Sequence, residues 1–359
     1  MKKNFVSSQL KAVHLYLRIL TIVAFGVISS ISSYGQIDFT PLTHEFNNHK
    51  SEIGTHFACL LQKNGKTLFR KGADDFDIAD VTSVGSFSQW LTAALVMTLV
   101  DQEKISLDDK VSRYLPIYET YGKKFITIRQ CLSHQTGIEY PKSVGKLFEK
   151  AKYASLEEEV NAFASKHEIL YNPGTAFNYN NIGIDIAARI AEIVTQKSFD
   201  VLITERILKP LGMRNTSFSA KDKVNPSFSA YSTANEMNNF LSMLLNKGVF
   251  NSKKILSEKS IAEMETLQMD KSFMKNAPSP MQGFTYGLGE WILSKDIDDK
   301  STILGYSNMY GSWMFFDRCK GYTFVLLSKT PQTESKKLMY DDLKKALDEI
   351  MPVEGCNGY

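Results

Sequence analysis

The sequence predicts an α+β protein, with one antiparallel sheet built from both ends of the chain and a helical lobe inserted between them. Three observations carry this. A hairpin signal stands near the N-terminus, helical patterning fills the middle, and short aromatic or β-branched runs return before a last amphipathic stripe.

The elements follow in order. A cationic region ends at Arg18, the apolar run 19–28 follows, and the small residues of SSISSYG close it. That run is about half of the ~20 apolar residues a membrane span needs. Residues 1–35 are therefore expected to be a cleaved secretory signal, with Gln36 the first mature residue and an uncleaved anchor the alternative. This implies a periplasmic or secreted protein with no stable membrane span after cleavage. The remainder, 36–359, reads as a single two-lobed domain, its sheet lobe about 36–85 and 284–359 and its helical lobe about 86–283. Two alternating runs, 56–62 and 67–71, flank Asn64-Gly65, a pair that tolerates the positive φ of a tight hairpin turn. Over 86–101 the apolar residues cover every side of a helix, as in a helix buried all round. Helical patterning continues to about 270, clearest over 182–194 and 237–245. Strands are expected over 286–293, 302–304, 311–317 and 322–328, the last two joined by a turn over 318–321. A terminal helix carries Met339, Leu343, Ala346 and Ile350 on one stripe.

Charge excludes one class of partner. The 359 residues hold 42 Lys and Arg against 39 Asp and Glu, a net of +3. Lys2, Lys3, Lys11 and Arg18 lie in the first 35 residues, which hold no acid, so the rest carries 38 against 39, or −1. A nucleic-acid binder working through bulk positive charge is excluded. Among the four cysteines, Cys59 in an apolar strand and Cys131 in a helical run read as small buried hydrophobes. Cys319, in a turn, and Cys356, in the C-terminal tail, could pair in an oxidising compartment or remain free thiols.

Five stretches carry the chemistry: GSFSQWLTAALVMTLVDQEKISLDDKVSRYLP, ITIRQCLSHQTGI, YNPGTAFNYNNIG, LKPLGMRNTSF and LGYSNMYGSWMFFD. In order and approximate spacing they resemble the serine β-lactamase and penicillin-binding-protein-like family, especially its esterase and class C β-lactamase branch. The resemblance covers about residues 50–330. It implies a β-lactamase/transpeptidase-like fold, with an antiparallel sheet flanked by terminal helices and an inserted helical lobe.

The resemblance also implies site residues. The family's Ser-x-x-Lys motif falls on Ser86-Phe87-Ser88-Gln89, which keeps the nucleophile and replaces the lysine. Its Tyr-x-Asn motif falls on Tyr179-Asn180-Asn181, where the tyrosine serves or assists the general base and the asparagine meets substrate or lysine. Its Lys/His-x-Gly motif falls on Tyr306-Ser307-Asn308, which lacks both the basic residue and the glycine. The backbone N–H groups of Ser86 and Met309 are the expected oxyanion hole. Ser86 and Tyr179 are thus the catalytic candidates, and Gln89, Asn181, Tyr306, Asn308 and Met309 the substrate-binding ones. Acyl transfer through Ser86 on an ester or amide is the implied reaction, needing no cofactor or metal.

The missing cations imply that this reaction is weakened or lost. A free tyrosine titrates near 10, so only about one in a thousand is ionised at neutral pH. A positioned general base contributes ~10²–10⁴-fold. The alternative is a non-catalytic binding protein holding a small-molecule, peptide or glycan-derived ligand from the cell envelope in the same cleft. Other residues read as structural. His134 is expected to stabilise a turn, His44, His49 and His56 to lie in a solvated segment, and Asp108-Asp109 to cap a helix. Trp90, Trp313 and Tyr310 are candidates for the pocket lining or, for the two tryptophans, the core. The segments 142–166 and 270–283 are expected to shape specificity.

Overall fold

Asn64 and Gly65 adopt φ of 52° and 71°, the left-handed pair of a two-residue hairpin turn. In the computed structural model, which describes residues 37–73, 75–140, 153–218, 224–331 and 333–356, this turn joins β1 (Phe57–Lys63) to β2 (Lys66–Gly72). Five late strands complete the sheet: β3 (Thr285–Tyr286), β4 (Trp291–Lys295), β5 (Ser301–Ser307), β6 (Trp313–Asp317) and β7 (Tyr322–Ser328). The spatial order is β2-β1-β7-β6-β5-β4-β3. Every neighbour is antiparallel, and β1 docks on β7 with Phe57 opposite Ser328. The sheet is therefore built from both ends of the chain, as expected. The signal-peptide reading of 1–35 lies outside the described residues.

Two strand expectations need correcting. The run expected over 286–293 is broken between Tyr286 and Trp291, where Gly287 N donates to Glu290 O at 2.9 Å. A Cβ on Gly287 would lie 2.1 Å from Met264 O, and Gly289 has φ of +83° with a would-be Cβ 2.2 Å from that of Ala93. Two glycines thus let the chain turn hard against the helical lobe. The strand expected from Gly311 starts at Trp313, because residues 308–312 form a turn with Gly311 at φ +74°.

Along β6 the side chains alternate between two environments. Trp313 stacks on Tyr340 at 4.9 Å, on the side of the terminal helix, while Phe316 stacks on Trp90 at 6.3 Å, on the side of the helical lobe. Six helices matter for the site. Helix α1 (Thr40–Asn48) buries Leu42 and Phe46, and Phe46 stacks on Phe57 and Phe69. His49 follows it, buried, 2.9 Å from Asp342 Oδ2, so the segment expected to be solvated is anchored at that histidine. Its short amphipathic pattern, TPLTHEFNN, gave too weak a period to read.

Helix α2 (Phe87–Asp101) is buried continuously from Phe87 to Leu99, as all-round apolarity requires. Helix α3 (Ile128–Leu132) opens on a capping box between Thr127 and Gln130. Helix α4 (Ile182–Thr195) follows the Tyr179 segment, and α5 (Ala234–Leu245) packs Phe240 edge-on against Trp90. Helix α6 (Ser335–Ile350) buries Met339, Leu343 and Ala346 on its stripe, with Tyr340 and Leu347. Cys59 and Cys131 are free and buried, and Cys319 is bonded to Cys356. Part of the segment 142–166 lies outside the described residues; the rest includes the helix Leu156–Lys166. No described helix is long and apolar enough to cross a membrane.

Candidate active site

Gly85, at φ +53°, turns the chain into α2 so that Ser86 stands at the helix N-terminus. Ser86 has αR backbone angles and makes no capping bond with its side chain, which leaves the hydroxyl for other work. The loop is held from both sides. Val84 N donates to Ala230 O at 2.9 Å, and Asn308 Nδ2 donates to Val84 O at 2.9 Å.

Asn308 is buried and its amide is held by three bonds, since beside the Val84 bond Oδ1 accepts from Tyr310 N at 2.9 Å and Ser312 N at 3.1 Å. It shapes the turn after β5 and meets no solvent, so its place is that of a scaffold behind the cleft. In the same turn Asn308 N bonds Ser312 O and Gly311 N bonds Asn308 O. Within 308–312 the Met309 N–H is thus left without a partner among the described residues, as is the Ser86 N–H. Both residues are half-buried.

Behind Ser86 lies a set of neutral polar groups. The phenols of Tyr179 and Tyr306 are 2.6 Å apart, and Tyr306 Oη donates to Gln89 Oε1 at 2.9 Å. Ser86 lies beside the Tyr179 phenol and is among the groups that favour its ionised form. Burial pushes the Tyr179 pKa up to about 12, against small lowering effects from Tyr306 and Ser86. Tyr306 is completely buried, packed by Phe87 at 5.4 Å and Trp90 at 6.1 Å, and burial drives its phenol further from ionisation. Asn181, the N-cap of α4, donates to Asp185 Oδ2 at 2.7 Å, and its buried Oδ1 has no partner among the described residues.

The structure thus brings Ser86, Gln89, Tyr179 and Tyr306 into one network, while Asn181 flanks it and Asn308 and Met309 form the adjoining turn. Gln89 and Tyr306 are too buried to face a ligand directly. Sequence reasoning missed Tyr286, whose hydroxyl lies 3.1 Å from His134 Nε2 and whose ring packs 4.9 Å from Trp291. His134 has φ of 57°, a turn residue as expected, yet its ring also lies 4.7 Å from that of Tyr179. Burial lowers its pKa to about 3, so it is a neutral wall of the site. Trp90 and Trp313 belong to the core, whereas half-exposed Tyr310 and Phe228 pack beside Gly85. The His134 ring and Tyr286 carried no sequence signal, because their meeting depends on a contact 152 residues apart.

One group of three ligand-type side chains, Glu45, His49 and Asp342, lies among the described residues with ligand atoms within 4.8 Å. It joins α1 to α6, remote in sequence from Ser86. Asp109, expected to cap a helix, accepts from Ser106 N at 2.8 Å and Tyr114 Oη at 2.6 Å and so pins the turn after α2.

Comparison with known proteins gives a consistent result. The family model described as Beta-lactamase matches residues 58–348. Beta-lactamase-like protein 4 of Dictyostelium discoideum is 25% identical over 318 residues, covering 72% of this chain and 56% of that protein. Protein flp of Staphylococcus aureus (strain MW2) is 28% identical over 170 residues, covering 44% and 34%. The chain therefore spans about half or less of these relatives' length. Among solved structures, a candidate beta-lactamase from Bacteroides dorei superposes with a TM-score of 0.77 at 24% identity, covering 87% of this chain and 99% of that one. EstCE1, a hydrolase with promiscuous acyltransferase activity, gives 0.72 at 18%, covering 86% and 97%. At these identities the superpositions speak for the fold alone.

Proposed function

This chain belongs to the beta-lactamase family, and from that premise we propose that it is an exported, hydrolase-like member whose serine site is detuned: it takes an uncharged ester or amide in the cleft and transfers the acyl group slowly through Ser86. The observation that carries this is the neutral network behind the serine. In the reaction the Ser86 Oγ–carbon bond forms, the bond to the leaving group breaks, and the Ser86 proton moves toward Tyr179. The N–H groups of Ser86 and Met309 receive the developing oxyanion.

The network sets the rate. Among the described residues no Lys or Arg side chain bonds Gln89, Tyr179 or Tyr306. With its pKa near 12, about one Tyr179 in 10⁵ is ionised at pH 7, a further hundredfold below free tyrosine. Two neutral backbone donors remain, which sustain a modest enhancement without a base. The missing cation also removes an attraction for carboxylate-bearing substrates. Tyr310 and Phe228 instead offer rings at the serine, suited to stacking on an apolar or sugar-like group. That aromatic pair favours the second reading, a binding protein for a glycan or peptide fragment that never completes turnover. Export is supported by the pattern of residues 1–35 and by the Cys319–Cys356 bond, of a kind that persists in oxidising compartments.

The test is mass spectrometry of the mature protein with a fluorophosphonate and a fluorescent penicillin, beside Ser86→Ala. Slow fluorophosphonate adduction on the Ser86 peptide, absent in Ser86→Ala, with no penicillin adduct, is expected. Fast stoichiometric penicillin acylation of Ser86 sinks the detuned reading, and equal labelling of Ser86→Ala sinks the nucleophile assignment.

A further inference from the structure

We infer that Gln89, through its side-chain carbonyl, is the positioning residue that fixes the direction of the hydrogen-bond chain from Ser86, holding the serine hydroxyl as a donor to Tyr179 and leaving its lone pair toward the cleft. This rests on the acyl-transfer reading of Ser86 and goes beyond it. A phenol has one proton to donate. The Tyr306 proton lies on Gln89 Oε1, at 2.9 Å. Across the 2.6 Å contact to Tyr179 the Tyr306 oxygen is therefore the acceptor, and Tyr179 the donor. With its proton committed there, Tyr179 can meet the Ser86 hydroxyl beside it only as an acceptor. The order is Ser86 O–H to Tyr179, Tyr179 O–H to Tyr306, Tyr306 O–H to Gln89.

A glutamine differs here from an ammonium or a carboxylate. With Nε2 turned to Tyr306, the Tyr306 proton is released to Tyr179 or Tyr286; given to Tyr179, it turns that phenol into a donor to Ser86, whose lone pair is then tied rather than offered to a carbonyl. A protonated lysine, which only donates, would impose that reversed order on Tyr306. A carboxylate, which only accepts, would keep the present order and add what the amide lacks, a base at the end. The Tyr306 ring is enclosed by Phe87, Trp90 and Tyr179, Gln89 is 4% exposed, and the Tyr286 phenol, a further hydroxyl beside Tyr306, can only donate to it while the Tyr306 proton lies on Gln89. Gln89 thus orients the serine without activating it.

Two measurements decide this. The first is NMR of protein with labelled glutamine side chains, wild type against the near-isosteric Tyr306→Phe. Loss of the accepted bond is expected to move the Gln89 carbonyl carbon and leave its Nε2 nearly unmoved, and the opposite pattern overturns the inferred direction. The second is fluorophosphonate labelling of Ser86 in Gln89→Glu and Gln89→Met. As the Ser86 oxygen bonds phosphorus and fluoride leaves with its bonding pair, the proton passes by Tyr179 and Tyr306 to the new carboxylate. Gln89→Glu is expected to label about 10²-fold faster than wild type, with a rate that rises with pH and then levels as the carboxyl ionises. Gln89→Met, which cannot hold the direction, is expected to label no faster than wild type. A Gln89→Glu rate equal to that of Gln89→Met, or one without the pH rise, overturns the inference. Adducts that persist in Ser86→Ala overturn the acyl-transfer reading instead, while the carbon shift still decides which end of the amide faces Tyr306.

Discussion

Acid should loosen this fold through His134, and the size of the effect follows from its burial. The ring is 2% exposed, with one polar contact to Tyr286 and three aromatic neighbours, Phe177, Tyr179 and Tyr286, within 5.5 Å. Burial holds its pKa down at about 3, against about 6.5 in the unfolded chain. Because the folded value is the lower one, the stabilisation is fully present above about pH 6.5 and is lost as pH falls toward 3. At about 1.4 kcal/mol for each pH unit, acidification to about pH 4.5 removes roughly 2–3 kcal/mol. Asparagine suits the positive φ at this position, so His134→Asn removes the titration with little backbone strain. Urea unfolding of both proteins near pH 7 and near pH 4.5 isolates the effect, since carboxylates common to the pair cancel. The variant is expected to be the weaker near pH 7, by a margin that shrinks by about 2–3 kcal/mol near pH 4.5. Parallel pH profiles would refute the reasoning, because they would show that His134 does not titrate across the unfolding transition.

Two further outcomes follow from the same physics. Glu290 is completely buried, neither carboxyl oxygen has a hydrogen-bond partner among the described residues, and burial raises its pKa well above the ordinary value. Its contribution is therefore present below about pH 4.3 and lost as pH rises toward the folded value; Glu290→Gln should be more stable than wild type at pH 8 in urea unfolding, with the gap closing near pH 4, and a gap that does not change with pH would refute this. The Cys319–Cys356 bond closes a 37-residue separation, for which the chain-entropy model gives about 4 kcal/mol; replacing both cysteines by alanine should lower the urea midpoint accordingly, and an unchanged midpoint would mean that the tail is held without the bond.

The parts of the fold that were legible are those in which burial imposes one period on many consecutive residues. Helix α2 is apolar on every side, and the Asn64-Gly65 turn needs left-handed backbone that those two residues supply. The broken strand at Gly287 to Glu290 was not legible, because its cause is the approach of Met264 and Ala93 from the helical lobe. The same division runs through the site. Ser86, Tyr179 and Tyr306 stood out by their place in short motifs. The ring contacts of Tyr286 and His134, the enclosure of Gln89 and the scaffold role of Asn308 are products of packing between distant segments. Asn308 resembled a ligand-facing residue by position alone, and only its three bonds to Val84, Tyr310 and Ser312 reveal that the turn needs it.

The substitutions around the serine are best understood together. A lysine at position 89 would place an ammonium in a space enclosed by Phe87, Trp90 and the Tyr306 phenol, and with Tyr306 in place of a second cation nothing there favours the tyrosinate that would balance it. Desolvating one unpaired charge in such a place costs several kcal/mol. The residues present avoid that cost by being neutral throughout: an amide, three phenols and an imidazole held unprotonated. Neutrality stabilises the core of the cleft and, in the proposed reading, removes the base in the same stroke. Hence a single charged substitution at Gln89 is a severe perturbation, and its effect on Ser86 reads out how far a proton can travel along three hydroxyls when a base stands at the end.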